Sequence, residues 1–229
     1  VIDSLITLSL VNKRKVSKEV VDAAIKADTS RLHMLAAACY LNDGDISRAE
    51  NENIRAILMS GEGYSPAFGQ YINISTSKQN NEVIKITRIE AATAACCKKS
   101  DDSQRWLCVY QDCLLPSSPY IWNGDYHVDI DDAARLRYLR KNVGDKIIID
   151  NSSYVITKIM PLDCYLFRTC MAKMAQNGFA KEVAIPVRNG KMDVSVFTEM
   201  ISQNTPDERH SVDWLEQYNN IQDIPLPLY

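Results

Sequence analysis

Asp125, Asp129, Asp131 and Asp132 fall within the run Asp125-Tyr126-His127-Val128-Asp129-Ile130-Asp131-Asp132. Clustered carboxylates are the ligands that hard cations such as Mg²⁺ and Ca²⁺ take. The spacing is not that of an EF-hand loop, because the twelfth position counted from Asp125 is Leu136 rather than Glu. On a strand, Asp125, His127 and Asp129 would share one face. The competing role is a solvated loop, with Asp131 or Asp132 capping a helix that begins at Ala133. We expect the second role, and no metal or other cofactor.

Cys96, Cys97, Cys108 and Cys113 are the other group that could hold a metal. Structural zinc sites usually show paired short cysteine spacings. The Cys108/Cys113 pair is loosely compatible, with His127 as a spare ligand, but adjacent Cys96 and Cys97 make an awkward second pair. Reduced, partly buried thiols are the expected state. The histidines are His33, His127 and His210. Neither a Gly-x-Ser-x-Gly elbow nor a Gly-rich phosphate loop occurs, so the sequence shows no nucleophilic or phosphate-transfer signature. His210 reads as a surface or packing residue.

Arg135, Arg137, Arg140 and Lys141, with Tyr138 among them, form the best basic cluster. On a helix, Arg137, Arg140 and Lys141 would face one way and could meet RNA or an acidic helix. The alternative is a solvated helix face. A net charge of −3 and a pI near 5.7 supply no general field for a nucleic-acid backbone.

Helices are expected through the first 70 or so residues. Ser17 can cap a helix carrying Val20, Val21, Ala24 and Ile25. Thr29-Ser30 opens the run Arg31–Leu41, which Gly44 ends. Ser47 and Glu50 have capping-box spacing before Ile54, Ile57 and Leu58. Gly61 to Pro66 closes that helix. Val83–Ile89 reads as a strand, Ala91–Cys97 as helix and Trp106–Tyr110 as a strand, with a loop at Leu115–Pro119. Two β-rich runs, Lys146–Asp150 and Ser153–Ile159, flank Asn151-Ser152 as a hairpin turn. Val183–Val187 offers an edge strand. C-terminal helices are expected behind Asp193 and Thr205, burying Phe197, Met200, Ile201, Trp214, Leu215 and Tyr218.

The helix pair from Arg31 to Ser60 resembles one tetratricopeptide repeat. Counted from Ser30 over a repeat of roughly 34 residues, the small eighth, twentieth and twenty-seventh positions are Ala37, Ala49 and Ala56, and the aromatic eleventh is Tyr40. Small residues there let two helices approach closely. The sequence departs from the pattern at His33, Asn53 and Gly61. The resemblance implies a concave, peptide-contacting face carrying Arg31, Met34, Ala38 and Asn42. The segment Arg137–Ile149, with its Val143-Gly144-Asp145 turn, followed by Tyr154–Ile159, resembles the C-terminal domain of Gre transcript-cleavage factors. That resemblance implies a small FKBP-like sheet able to dock on RNA polymerase. It carries over no catalysis, because nothing here has the heptads of the Gre coiled coil. The combination resembles the N-terminal part of larger prokaryotic proteins ending in a PIN-type nuclease domain.

With 46% hydrophobic and 24% charged residues among 229, the chain is expected to fold. Disorder, collagen and coiled-coil rods are excluded as its main state. We expect an α+β protein: a helical tetratricopeptide-like region over 1–72, then a mixed region over 73–192. Its small antiparallel Gre-like β domain has a core at about 106–160. C-terminal helices over 193–229 would lead into a further domain, since the chain starts at Val1 and ends at Tyr229. Seven cysteines in a chain large enough to build a core without disulfides point to the cytoplasm. No apolar run reaches the roughly 20 residues of a membrane span. The expected function is a non-catalytic protein-interaction and regulatory segment, docking on the transcription machinery or a linked nuclease domain. The alternatives are a nuclease-associated RNA-binding module and a metal-dependent enzyme centred on Asp125–Asp132.

Overall fold

A computed structural model describes residues 1–61, 65–78, 86–111, 113 and 115–176, together with the backbone of 187–188 and 191–192. Residues 1–182 form one compact unit and 183–229 a second. Within the second unit, Val187–Arg188 and Lys191–Met192 pair as an antiparallel ribbon. The remainder of the Val183–Val187 strand and the helices expected after Asp193 lie outside the described residues.

Helices come first, as composition and caps dictate. They are α1 (Ile2–Val11), α2 (Lys18–Lys26), α3 (Ser30–Asn42), α4 (Ile46–Leu58) and α5 (Pro66–Ser77). Thr29 caps α3 by accepting from the Leu32 N–H. Asp45, not Ser47, caps α4, accepting from the Arg48 N–H at 3.1 Å. Gly44 stands at φ +79, so the chain reverses before the Ser47 box and Asp45, two residues earlier, arrives at the cap. Pro66 opens α5 as its first residue behind the Ser65 cap rather than merely ending α4. Ala37, Ala49 and Ala56 are wholly buried, and α3 packs most extensively against α4. The α3 helix also touches α1, α2 and α5. Ile6, Val21, Ala24, Leu35, Ala36 and Cys39 fill the core of the first three helices.

A six-stranded mixed sheet follows. Its strands are β1 (Thr93–Lys98), β2 (Gln104–Tyr110), β3 (Tyr120–Trp122), β4 (Asp125–Asp129), β5 (Lys146–Ile149) and β6 (Ser152–Pro161), in the order β3-β4-β2-β1-β6-β5. The protein is thus α+β as expected. The sheet is not wholly antiparallel, because β2 and β4 run parallel. The β3–β4 hairpin folds back on the far side of β2, which forces that direction.

The run expected as helix over Ala91–Cys97 is a turn at Ala91-Ala92 and then strand β1 from Thr93. Ala94, Ala95 and Cys97 are fully buried in the centre of the sheet, where small side chains let other elements close over both faces. Of the expected Val83–Ile89 strand, the described part makes a single bridge, Arg88 to Asn142. The β5–β6 turn is Asp150-Asn151, at φ 48 and 60, one residue earlier than Asn151-Ser152. Two consecutive positive φ values suit a tight hairpin, and Asp and Asn tolerate them better than Ser.

One sheet face buries Ala95, Cys97, Leu107, Val109, Tyr126, Val128, Ile147, Ile149 and Ile156 around Ala133 of the short helix α6 (Ile130–Arg135). The opposite face is covered by α7 (Leu162–Gln176), which also packs against α5. Tyr120 donates to the Leu58 carbonyl at 2.6 Å, and the Trp122 indole N–H donates to the Gly61 carbonyl at 3.1 Å. These bonds join the helices to the sheet. Among the described residues, no helix is long and apolar enough to cross a membrane.

Candidate functional site

The stripe along α3 keeps a surface. Arg31 and Asn42 are exposed, and Met34 and Ala38 are half-buried. Neighbouring helices edge it on two sides. Arg31 pairs with Asp3 of α1 at 2.5 Å, and the Gln70 amide of α5 donates to the Met34 carbonyl at 3.1 Å. Gln70 in turn accepts from Asn53 of α4 at 2.7 Å. Sequence reasoning missed Asp3 and Gln70. Their partners lie 28 and 36 residues away along the chain, and no local pattern announces such pairs.

Beneath the stripe, His33 is wholly buried between two carboxylates. Its Nδ1 lies 2.6 Å from Glu52 and its Nε2 2.9 Å from Asp28. Asp28 also pairs with Arg55 at 2.9 Å. The hydrogen bond to His33 is the main cause holding the Asp28 carboxyl below its ordinary range. This network ties the α2–α3 turn to α3 and α4.

Arg137, Arg140 and Lys141 do not lie on a helix. The α6 helix ends at Arg135, and Arg137 and Arg140 adopt left-handed conformations at φ 61 and 64. Arg137 occupies the position after the helix where Gly is usual, with the Tyr138 N–H returning to the Ala133 carbonyl at 2.9 Å. Between the two arginines, Tyr138 is buried and donates to the Ile148 carbonyl at 2.8 Å. Both guanidinium side chains stay on the surface; Lys141 is half-buried.

The aspartates expected near residues 125–132 are dispersed into separate structural tasks. Asp125 is buried, accepting from the Trp106 N–H at 2.8 Å and the Tyr165 hydroxyl at 2.5 Å. Burial raises its pKa. Asp129 caps α6, which begins at Ile130 rather than Ala133, by accepting from the Asp132 N–H at 2.7 Å. Asp132 pairs with Arg135 at 2.5 Å, and Asp131 sits in the first turn of α6. The cap comes earlier than expected because β4 runs directly into the helix. Among the described residues, no three His, Cys, Asp or Glu side chains converge as a metal cradle.

The thiols are likewise separated. Cys96 and Cys97 alternate to opposite faces of β1 and cannot share an ion. Cys113 stands against the Asn51 carbonyl of α4. All seven cysteines are free. Burial pushes the Cys97 and Cys113 thiols up to about 12, so neither is a thiolate at neutral pH.

His127 is fully buried on the face of β4 that meets α7. The Tyr110 hydroxyl donates to its Nδ1 at 2.9 Å, and its Nε2–H donates to the Trp122 carbonyl at 3.2 Å. Desolvation lowers its pKa to about 4, fixing it as a neutral ring. His127 and Tyr110 are bonded to each other, and Asp125 to Trp106 and Tyr165; all of these groups are buried or half-buried.

No family model, curated protein or solved structure matches this chain.

Proposed function

We propose that the chain is a non-catalytic interaction and regulatory module in which a tetratricopeptide-like helical array grips a protein segment. The observation that carries this reading is the accessible stripe Arg31, Met34, Ala38 and Asn42, set on α3 and edged by α1 and α5. A half-buried Met and Ala flanked by polar ends suit a peptide with a small apolar anchor. The buried alanines Ala37, Ala49 and Ala56 support the repeat resemblance, since they sit where the hairpin is tightest. The sheet wrapped around α6 supports the resemblance to the Gre C-terminal domain. On that reading the partner belongs to the transcription machinery or to a linked nuclease domain, in the cytoplasm.

The test is a comparison of proteins co-purifying with the wild-type chain and with the Met34→Glu/Ala38→Arg variant. The reading predicts a partner retained by the first and lost by the second. Identical recoveries from both would contradict it.

A second reading, RNA binding at Arg137, Arg140 and Lys141, is favoured by one observation. Two arginines occupy left-handed positions that Gly would fill with less strain. Substituting all three by Ala should lower RNA retention and flatten its salt dependence. Unchanged retention would remove this patch.

A further inference from the structure

Helix α1 is apolar on two opposite sides. Ile2, Ile6 and Leu10 face the core of the first three helices. Leu5, Leu8 and Val11 lie on the other side, about half a turn away around the axis. They are 49%, 59% and 70% exposed, and are three of the eight large apolar side chains standing in water among the described residues. Ser4 and Asn12 share that side and are exposed too. An exposed apolar row on a helix whose other side already fills a core calls for a further surface to bury it.

A basic run is fixed to the end of this row. Lys13 takes the left-handed position after the helix, at φ 52, where Gly is usual. Its N–H donates to the Leu10 carbonyl at 3.0 Å, and the Arg14 N–H donates to the Ser9 carbonyl at 2.8 Å. Lys13, Arg14 and Lys15 are all exposed, and Lys15 stays 78% exposed while paired with Asp43 at 3.2 Å. Lys18 and Glu19, both exposed, open α2 beyond them. Charge selects among the possible occupants. Two copies pairing these rows in parallel would bring both basic runs together. Pairing antiparallel would set each run against the positive end of the other helix, where Asp3 is already held by Arg31. An acidic partner helix would need a groove to lie in, whereas these side chains project from a single helix. A negatively charged surface with a yielding apolar interior meets both features.

We propose that α1 lies along an anionic lipid bilayer, with Leu5, Leu8 and Val11 sunk into its interface and Lys13, Arg14 and Lys15 against the charged headgroups. The helix rests on the bilayer and does not cross it, since its 10 residues are about half of a span. The inference stands on the outward side of α1 and does not depend on the interaction reading of α3.

The test is flotation of the whole chain with vesicles of phosphatidylcholine alone and of phosphatidylcholine mixed with phosphatidylserine. The proposal predicts binding at least tenfold tighter to the mixed vesicles, weakening as salt rises. Leu5→Gln/Leu8→Gln changes two exposed side chains and keeps helix propensity, so the melting temperature should stay unchanged. That variant should weaken binding to the mixed vesicles at least tenfold. Lys13→Gly relieves the left-handed backbone, so it should raise the melting temperature while weakening vesicle binding about fivefold. Absence of binding, equal binding to both vesicles, or indifference to Leu5→Gln/Leu8→Gln would each overturn the proposal. So would a dimer in lipid-free sedimentation that the same variant dissolves.

Discussion

His127 and His33 are both fully buried, yet they sit in opposite surroundings. His33 faces carboxylates on both nitrogens. His127 has a hydroxyl, a carbonyl and the rings of Trp122, Tyr110 and Tyr165 around it. Its folded-state pKa, about 4, lies below the ordinary 6.5. As pH falls, the unfolded chain therefore takes up the proton first. The contribution of His127 to stability is complete above about pH 6.5 and is lost progressively toward pH 4, to a total of about 3 kcal/mol. Asp125, whose pKa is raised by burial, acts in the opposite sense. The prediction is therefore a difference: urea midpoints of wild type and His127→Gln should converge as pH drops from 7 to 5. Parallel midpoints across that range would contradict the neutral buried ring. At the same scale, Cys164 is half-buried while the other six thiols are buried. A thiol reagent applied to the native protein should label Cys164 first, as mass spectrometry of the peptides would show.

At the scale of elements, the caps and turns make the sharpest claims. Asp45→Ala should cost about 1 kcal/mol, and Ser47→Ala much less, because only the Asp45 side chain satisfies a helix-start N–H. Thermal melts of the two variants decide this. Arg140→Gly should raise stability by about 1 kcal/mol by relieving the left-handed backbone. The same variant should weaken RNA retention if the basic turn is a contact surface. The helices were legible because their signals are local: Thr29, Gly44 and the periodic apolar residues announce α3 and α4 within a few positions. The β5–β6 hairpin was legible to within one residue for the same reason. Strand β1 was not, since Ala94 to Cys97 have helix-forming or neutral side chains. Only neighbours on both sides, β2 and β6, make it a strand. The basic turn was misjudged because Arg gives no local warning of a positive φ. Arg31, Met34, Ala38 and Asn42 were named from the repeat resemblance, whereas the contacts of α3 with Asp3 and Gln70, and the Asp125–Tyr165 bond across 40 residues, exist only after folding.

For the whole 1–182 unit, the helices and the sheet are mechanically joined. Tyr120 and Trp122 from the edge hairpin bond to the end of α4 and the loop after it, Trp122 also meets Phe68 of α5, and α7 bridges α5 to the sheet. Native-state hydrogen exchange should therefore show α4, α5 and β2 opening at one common free energy. Separate openings would mean that the two layers fold independently. On the proposed interaction reading, this joined scaffold holds the α3 stripe for a partner. The direct test is a photoreactive amino acid placed at position 38, in the stripe, or at position 158, an exposed position of β6. The account predicts a discrete protein cross-linked from position 38 and none from 158. No cross-link at 38, or the same product from both positions, would contradict it.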